Sequence, residues 1–148
     1  MILNSNRFQG EALEGIGKIE GLKVLDLRNN NLGDNCMVHL AGLKNIAELS
    51  LSKNNLTDKG VSALAPLAGL LYLDLTTNQI AGGSEDTLLT FTKLTHLYLM
   101  SNRVPASTVY KLIGLPSLEV LEVRFNINNE QEKAELKANK PQKLHFFC

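Results

Sequence analysis

A pattern of apolar residues and asparagine recurs every 24 residues along almost the whole chain. The unit that begins at Leu22 has apolar residues at its first, fourth, sixth and eleventh positions and asparagine at its ninth. The same spacing begins again at Ile46, Leu70, Leu94 and Leu118. A constant period of this length is typical of a solenoid, in which each unit forms one coil and contacts only its neighbours. Residues 24 apart in the chain should therefore be neighbours in space.

The first half of each unit combines a strand pattern with a turn. Alternating apolar residues, as at Leu25 and Leu27, predict a short strand with one face in the core and the other in solvent. The asparagine that follows can bond to backbone groups of adjacent coils, which no solvent reaches. We therefore expect a buried, purely structural ladder of asparagines. Its members would be Asn6, Asn30, Asn54, Asn78, Asn102 and Asn126.

The second half of each unit predicts a short helix, because apolar residues recur there at a spacing of three. They form three columns, which hold Leu13, Met37, Val61 and Val109; Ile16, Leu40, Leu64, Leu88 and Leu112; and Ile19, Leu43, Leu67, Phe91 and Leu115. Glu85 interrupts the first column, and Gly82 and Gly83 precede it. We therefore expect this one segment to be irregular.

The repeated residues resemble the leucine-rich-repeat family, whose consensus is LxxLxLxxN/CxL, over essentially the whole chain. The second halves, such as residues 56–64, are similar to the 24-residue repeats of bacterial and protist members of cytosolic type. The resemblance implies an α/β fold, a horseshoe-shaped solenoid. A parallel β-sheet would line its concave face and short helices its convex face.

The sequence divides into a repeat array and a C-terminal cap. Residues 1–128 hold about six repeats, the first of them partial, and residues 129–148 predict a capping helix followed by a final degenerate strand. Asn129 and Glu132 resemble a capping box, and Leu144 and Phe146 resemble the start of one more unit. No comparable cap precedes Met1, which favours a fragment of a longer array or an open end that meets a partner.

Composition argues against several classes of function. Fifteen basic and fifteen acidic residues balance, so we expect no nucleic-acid partner and no attraction to a membrane surface. The sequence has no apolar run of membrane-spanning length and no phosphate loop or hydrolase motif. Cys36 and Cys148 lack the spacing of a metal site or a disulfide framework. We expect a cytoplasmic, non-enzymatic protein without cofactor, metal or small-molecule substrate.

Function should reside in the outward strand positions, which the repeat leaves free. Aromatic and charged residues gather there toward the C-terminal half, a composition that protein-binding surfaces favour. The predicted partner-binding residues are Tyr72, Asp74, His96, Tyr98, Met100, Glu122 and Arg124. In the last unit, Lys143, His145 and Phe147 should continue the third, fifth and seventh positions. The alternative is that the tyrosines only pair across strands, which also stabilises a sheet.

The leading hypothesis is thus an interaction module that binds a protein partner on the concave face. The family resemblance leaves other possibilities open. One is a regulatory component, either a small-GTPase activator that projects Arg7 or Arg103 from a turn or the substrate-recognition subunit of a ligase. Another is a secreted pathogen effector.

Overall fold

The computed structural model describes residues 1–6, 8 and 12–148, and within these residues six strands alternate with short helices. The strands are β1 (Val24–Asp26), β2 (Glu48–Ser50), β3 (Tyr72–Asp74), β4 (His96–Tyr98), β5 (Val120–Glu122) and β6 (His145–Phe147). The helices are α1 (Ala12–Ile16), α2 (Asp58–Ser62), α3 (Glu85–Thr90), α4 (Ala106–Leu112) and α5 (Glu130–Asn139). A 3-10 helix, Asp34–Gly42, takes the place of an α-helix between β1 and β2.

All six strands form one parallel sheet in the order of the sequence. Leu25, Leu49 and Leu73 are paired in register, and the same register continues through Leu97 and Leu121. Residues 24 apart therefore lie side by side, as the period predicts. The sheet and the helices between its strands confirm an α/β solenoid of leucine-rich-repeat type.

The last strand differs from its sequence prediction. His145 pairs with Val120 at the third position and Phe147 with Glu122 at the fifth, so the residues predicted for the fifth and seventh positions each lie two positions earlier. Helix α5 has ten residues where α1 to α4 have five to seven, so more chain is used before the strand begins. The strand begins 25 residues after β5 instead of 24, so the predicted alignment of this unit was wrong, including the third position assigned to Lys143.

The core fills the space between the sheet and the helices. The inward leucines of the first five strands are at most 1% exposed, and the second-half columns are buried against them. Ile19 is an exception, since 37% of its surface is exposed. Burial of the remaining columns is the main stabilising term, at roughly 25 cal/mol per Å² of apolar surface.

The segment around Glu85 is a regular helix, contrary to expectation. Ser84, which precedes α3, is buried, and its hydroxyl donates to the Asp58 carboxylate at 2.8 Å. Glu85 turns to the surface, where it accepts bonds from Thr108 and Lys111 of the next coil. Because both polar side chains find partners, the helix tolerates the loss of an apolar residue from the column.

The asparagines bridge consecutive coils. Each of the five from Asn30 to Asn126 donates its amide to a carbonyl 27 residues earlier and accepts a backbone N–H of the preceding coil. Asn6, in contrast, is exposed and donates to Asn4 O at 3.1 Å, so its expected place in the buried ladder was wrong.

The turn after each of the strands β1 to β5 places the eighth residue of the unit in the left-handed region of the backbone, and Ser5 occupies the equivalent position before β1. These residues, with φ between 54° and 62°, are Ser5, Asn29, Lys53, Thr77, Ser101 and Phe125. The repeat therefore fixes the backbone so firmly that it holds even a threonine and a phenylalanine in a conformation that such residues rarely adopt.

Helix α5 covers the convex side of the last coils. It begins after Asn129, whose side chain accepts the N–H groups of Gln131 and Glu132, and its Leu136 is fully buried. None of the helices in the described residues is long and apolar enough to span a membrane.

Candidate functional site

The outward side chains of the strands form files that run across the concave face. Tyr72, His96 and Val120 share one file, and Asp74, Tyr98 and Glu122 share the next. All six alternate with inward leucines, so the pleat of the strand aims them away from the core. Glu122 is nevertheless buried, with 6% of its surface exposed. Outward side chains that the sequence predicted to be neighbours therefore lie side by side on the concave face.

Three rings meet at the centre of this face, and we call Tyr72, His96 and Tyr98 the aromatic cluster. The ring centroids of Tyr72 and Tyr98 lie 5.2 Å apart, and His96 lies 6.1 and 6.5 Å from them. All three side chains are partly exposed. Rings in mutual contact lose little freedom when a partner covers them, so a large area can be buried at small entropic cost.

Another predicted site residue, Met100, follows Tyr98 by two positions. Met100 is partly exposed, and its carbonyl accepts the Thr77 N–H at 2.8 Å, which fixes it beside the adjacent coil. Nδ1 of His96 lies 2.9 Å from Oγ1 of Thr95, so a neighbouring hydroxyl orients this ring. Methionine adapts its shape to a bound surface, which complements the more rigid rings.

Carboxylate and guanidinium groups pair at both ends of the face. Arg28 binds Asp26 through Nε at 2.9 Å and Nη2 at 2.7 Å. Arg124 binds Glu122 through Nε at 2.9 Å and Nη2 at 2.6 Å. In each pair the arginine stands two residues after the acid, and its own backbone N–H also donates to that carboxylate. Each acid is thus neutralised within its own coil.

Asp74 occupies the equivalent position in the third coil but meets a different neighbour. Thr76 stands two residues after it, and the Thr76 N–H donates to Asp74 Oδ1 at 3.0 Å. Within residues 1–6, 8 and 12–148, no cation lies within salt-bridge distance of this carboxylate. The centre of the face therefore carries a negative charge beside its rings.

Electrostatics around the cluster agree with this arrangement. Burial raises the pKa of Tyr72 and Tyr98 above that of a free phenol, and the negative charge of Asp74 raises both further. The hydrogen bonds from Arg28 lower the pKa of Asp26, and the bonds to Glu122 raise the pKa of Arg124. Both tyrosines thus stay neutral at physiological pH and present their rings and hydroxyls to a partner.

Sequence reasoning did not find the partner of Arg124 at the C-terminal edge. The Arg124 guanidinium lies 5.9 Å from the ring centroid of Phe147, which the sequence analysis had placed at the seventh position of its unit. Phe125, at the turn beside them, is 75% exposed. The length of α5, which has ten residues, is the feature that could have indicated a later start of the last strand.

Other candidates from the sequence do not join this site. Arg103 is exposed at a turn, while Arg7 lies outside the described residues. Cys36 is buried and Cys148 half-buried, and both are free thiols. Across the described part of the chain, no three His, Cys, Asp or Glu side chains are placed to hold a metal ion.

A family model and the solved structures agree on the fold. The model described as leucine rich repeat matches residues 20–80 and 44–104, which together exceed half of the 148-residue chain. No curated protein matches the sequence significantly.

An internalin from Listeria monocytogenes superposes with a TM-score of 0.68 at 23% identity, over 91% of this chain and 36% of the internalin chain. The ectodomain of an Arabidopsis thaliana membrane receptor kinase, solved in complex with CASPARIAN STRIP INTEGRITY FACTOR 2, matches at 17% identity with a TM-score of 0.32. That match covers 99% of this chain and 26% of the receptor chain.

This chain thus spans about a third of the internalin structure that it resembles, and the likeness concerns the fold. The family match itself rests on the repeated leucines and asparagines that build the coils and the ladder. The chain belongs to the leucine-rich-repeat family.

Proposed function

We propose that this chain is a protein-binding module and that its partner docks on the concave face over the aromatic cluster. Leucine-rich-repeat domains generally bind protein partners, and solenoids offer extended concave surfaces for the purpose. The observation that carries the proposal is the contact of Tyr72, His96 and Tyr98 on the outward side of two adjacent strands.

The alternative role of the rings, cross-strand pairing, accounts for only part of their arrangement. Such pairs contribute to sheet stability, but the inward leucines already fix the register of every strand. Rings that served stability alone would gain most from full burial, whereas these three keep part of their surface in solvent. Partial exposure combined with mutual support favours a surface prepared for a partner.

We also propose that the role is non-enzymatic and that the compartment is reducing, such as the cytoplasm. Leucine-rich-repeat domains are typically non-enzymatic interaction modules. The carboxylates of Asp26, Asp74 and Glu122 already accept hydrogen bonds from arginines or backbone N–H groups. The two free thiols fit a reducing environment.

The proposal is tested by the binding of a protein partner, captured from the source cells, identified and then purified. Tyr98→Ala should weaken its binding by about 2 kcal/mol or more, since the substitution removes one of the three rings of the aromatic cluster. Isothermal titration calorimetry measures this directly. The control is Tyr110→Ala, because Tyr110 lies on α4 of the convex side and its hydroxyl bonds to Glu135.

Thermal unfolding followed by circular dichroism should show that both variants remain folded. Unchanged affinity of folded Tyr98→Ala, or equal losses in the two variants, would remove the aromatic cluster from the binding surface.

A further inference from the structure

Three carboxylates occupy equivalent outward positions on the concave face, and they differ in one respect. Asp26, Asp74 and Glu122 each accept the backbone N–H of the residue two places later, at 3.1, 3.0 and 2.9 Å. This shared bond holds all three carboxylates in a similar orientation. Asp26 and Glu122 are then neutralised by Arg28 and Arg124, whereas the coil of Asp74 has Thr76 at the corresponding place.

The aromatic cluster surrounds the carboxylate that lacks an arginine. Tyr98 is paired across the sheet with Asp74, and Tyr72 precedes Asp74 by two residues on the same face of β3. Glu48 adds a second negative charge, since it pairs across the sheet with Tyr72. Arg28 is near enough to attract Asp74 through space, but its own charge is matched by Asp26, so Asp74 and Glu48 leave the centre of the face with a net negative charge.

A guanidinium group matches this combination in both charge and shape. It donates two parallel hydrogen bonds to a carboxylate, as Arg28 and Arg124 do here, and its plane stacks on aromatic rings. An ammonium group satisfies the charge and the attraction of the rings but not the paired geometry. The Asp74 carboxylate beside these rings is thus complementary to a basic side chain, and to arginine better than to lysine.

We propose that the partner packs a basic side chain against the exposed surfaces of the Tyr72 and Tyr98 rings and pairs it with Asp74. This proposal rests on the proposed function, and it specifies the chemistry of the partner at the same site. The partner is a protein with an arginine or lysine exposed at its contact surface. Affinity should fall as salt is added, because part of the attraction is between charges at the surface.

Selection from a displayed library of random dodecapeptides tests the proposal even while the natural partner is unidentified. Peptides whose binding is lost in Tyr98→Ala define the ligands of the aromatic cluster. These peptides should share an arginine or lysine at one fixed position. A synthetic copy of the strongest should bind Asp74→Asn on the order of tenfold more weakly than the unmodified protein.

Thr76→Arg tests the proposal most specifically, because it places beside Asp74 the arginine that the coils of Asp26 and Glu122 already have. The new side chain should pair with Asp74 and weaken the same peptide on the order of tenfold, while circular dichroism shows an intact fold. Thr77→Arg is the matched control: it adds the same charge on the adjacent turn, and we expect a loss of about twofold or less.

The outcomes separate this proposal from the proposed function. Two results would contradict the proposed basic side chain and leave binding at the concave face intact. In one, the peptides depend on Tyr98 but share no basic residue. In the other, they bind Thr76→Arg and Thr77→Arg equally. A selection that yields no peptide dependent on Tyr98 would count against both.

Discussion

The strands present one face to the core and the other to solvent, and the side chains on the two faces vary very differently from coil to coil. Inward, leucine follows leucine at the centre of the first five strands, and an asparagine closes each turn. On the outer face, one file of paired positions changes from Val24 and Glu48 to Tyr72 and His96. The inner face must satisfy the same packing in every coil, whereas the outer face is free to encode a partner.

This contrast predicts that substitutions on the two faces affect different measurements. A change on the inner face should lower the free energy of unfolding, and a change at the aromatic cluster should lower the affinity for a ligand. The following experiments test whether effects on stability and effects on affinity separate in this way.

The largest effect on stability is expected from Leu73→Ala. Leu73 is fully buried at the centre of β3, so its truncation leaves a cavity between the sheet and the helices. We expect the free energy of unfolding to fall by about 3 kcal/mol, measured by urea denaturation. Leu71→Ala is the matched control, since Leu71 lies just before the same strand and is 42% exposed. Similar losses in both variants would contradict the assigned inner face.

Asn78→Ala should have the next largest effect. Its amide accepts the Leu56 N–H at 3.0 Å and donates to Leu51 O and Leu75 O at 3.1 and 2.9 Å. Removal leaves these backbone groups without their partner, at a cost of about 1–3 kcal/mol in urea denaturation.

Asn129→Ala, at the start of α5, serves as the comparison for the ladder. That asparagine caps one exposed helix end and bridges no coils, so its removal should cost less. If the ladder variant proved neutral, or no worse than the helix-cap variant, the proposed bridging of coils by asparagine would be wrong.

The smallest effect is expected from Asp26→Asn, on the outer face. Arg28 lowers the pKa of Asp26 in the folded protein, so the ion pair adds stability above the unfolded pKa of about 4. That contribution is lost as the pH falls through the lower, folded pKa. We expect the substitution to cost less than about 1 kcal/mol at neutral pH, because Arg28 is half exposed.

Urea denaturation at a series of acidic pH values checks this sign. The difference between the unmodified protein and Asp26→Asn should shrink as the solution becomes more acidic and disappear once Asp26 is protonated in both states. A difference that grew toward low pH would contradict the lowered pKa.

The sequence predicted the inner face far better than the details of the outer one. Leucines at constant spacing fixed the register of the first five strands, because only one alignment buries every apolar residue. Adjacency within the aromatic cluster followed from that register. In contrast, the pairs Asp26–Arg28 and Glu122–Arg124 depend on side-chain conformations, which spacing alone does not specify.

Errors occurred where one unit departs from the repeat. The burial of Ser84 depends on a carboxylate from the preceding coil, Asp58, which no pattern within a single unit reveals. Likewise, β6 lies 25 residues after β5 instead of 24, and Phe147 takes the fifth position of its unit where the sequence predicted the seventh. Such departures arise from tertiary contacts, so a period read along the chain does not contain them.

The most direct test of the separation between faces uses the three tyrosines of the chain. Tyr72 and Tyr98 lie in the aromatic cluster, and Tyr110 lies on α4 of the convex side. Fluorotyrosine labelling gives three ¹⁹F NMR signals, which single Tyr→Phe variants assign, and a ligand selected by peptide display is then titrated in. We predict that the signals of Tyr72 and Tyr98 move while that of Tyr110 stays. Movement of Tyr110 alone, or of all three signals equally, would contradict binding at the outer face of the sheet.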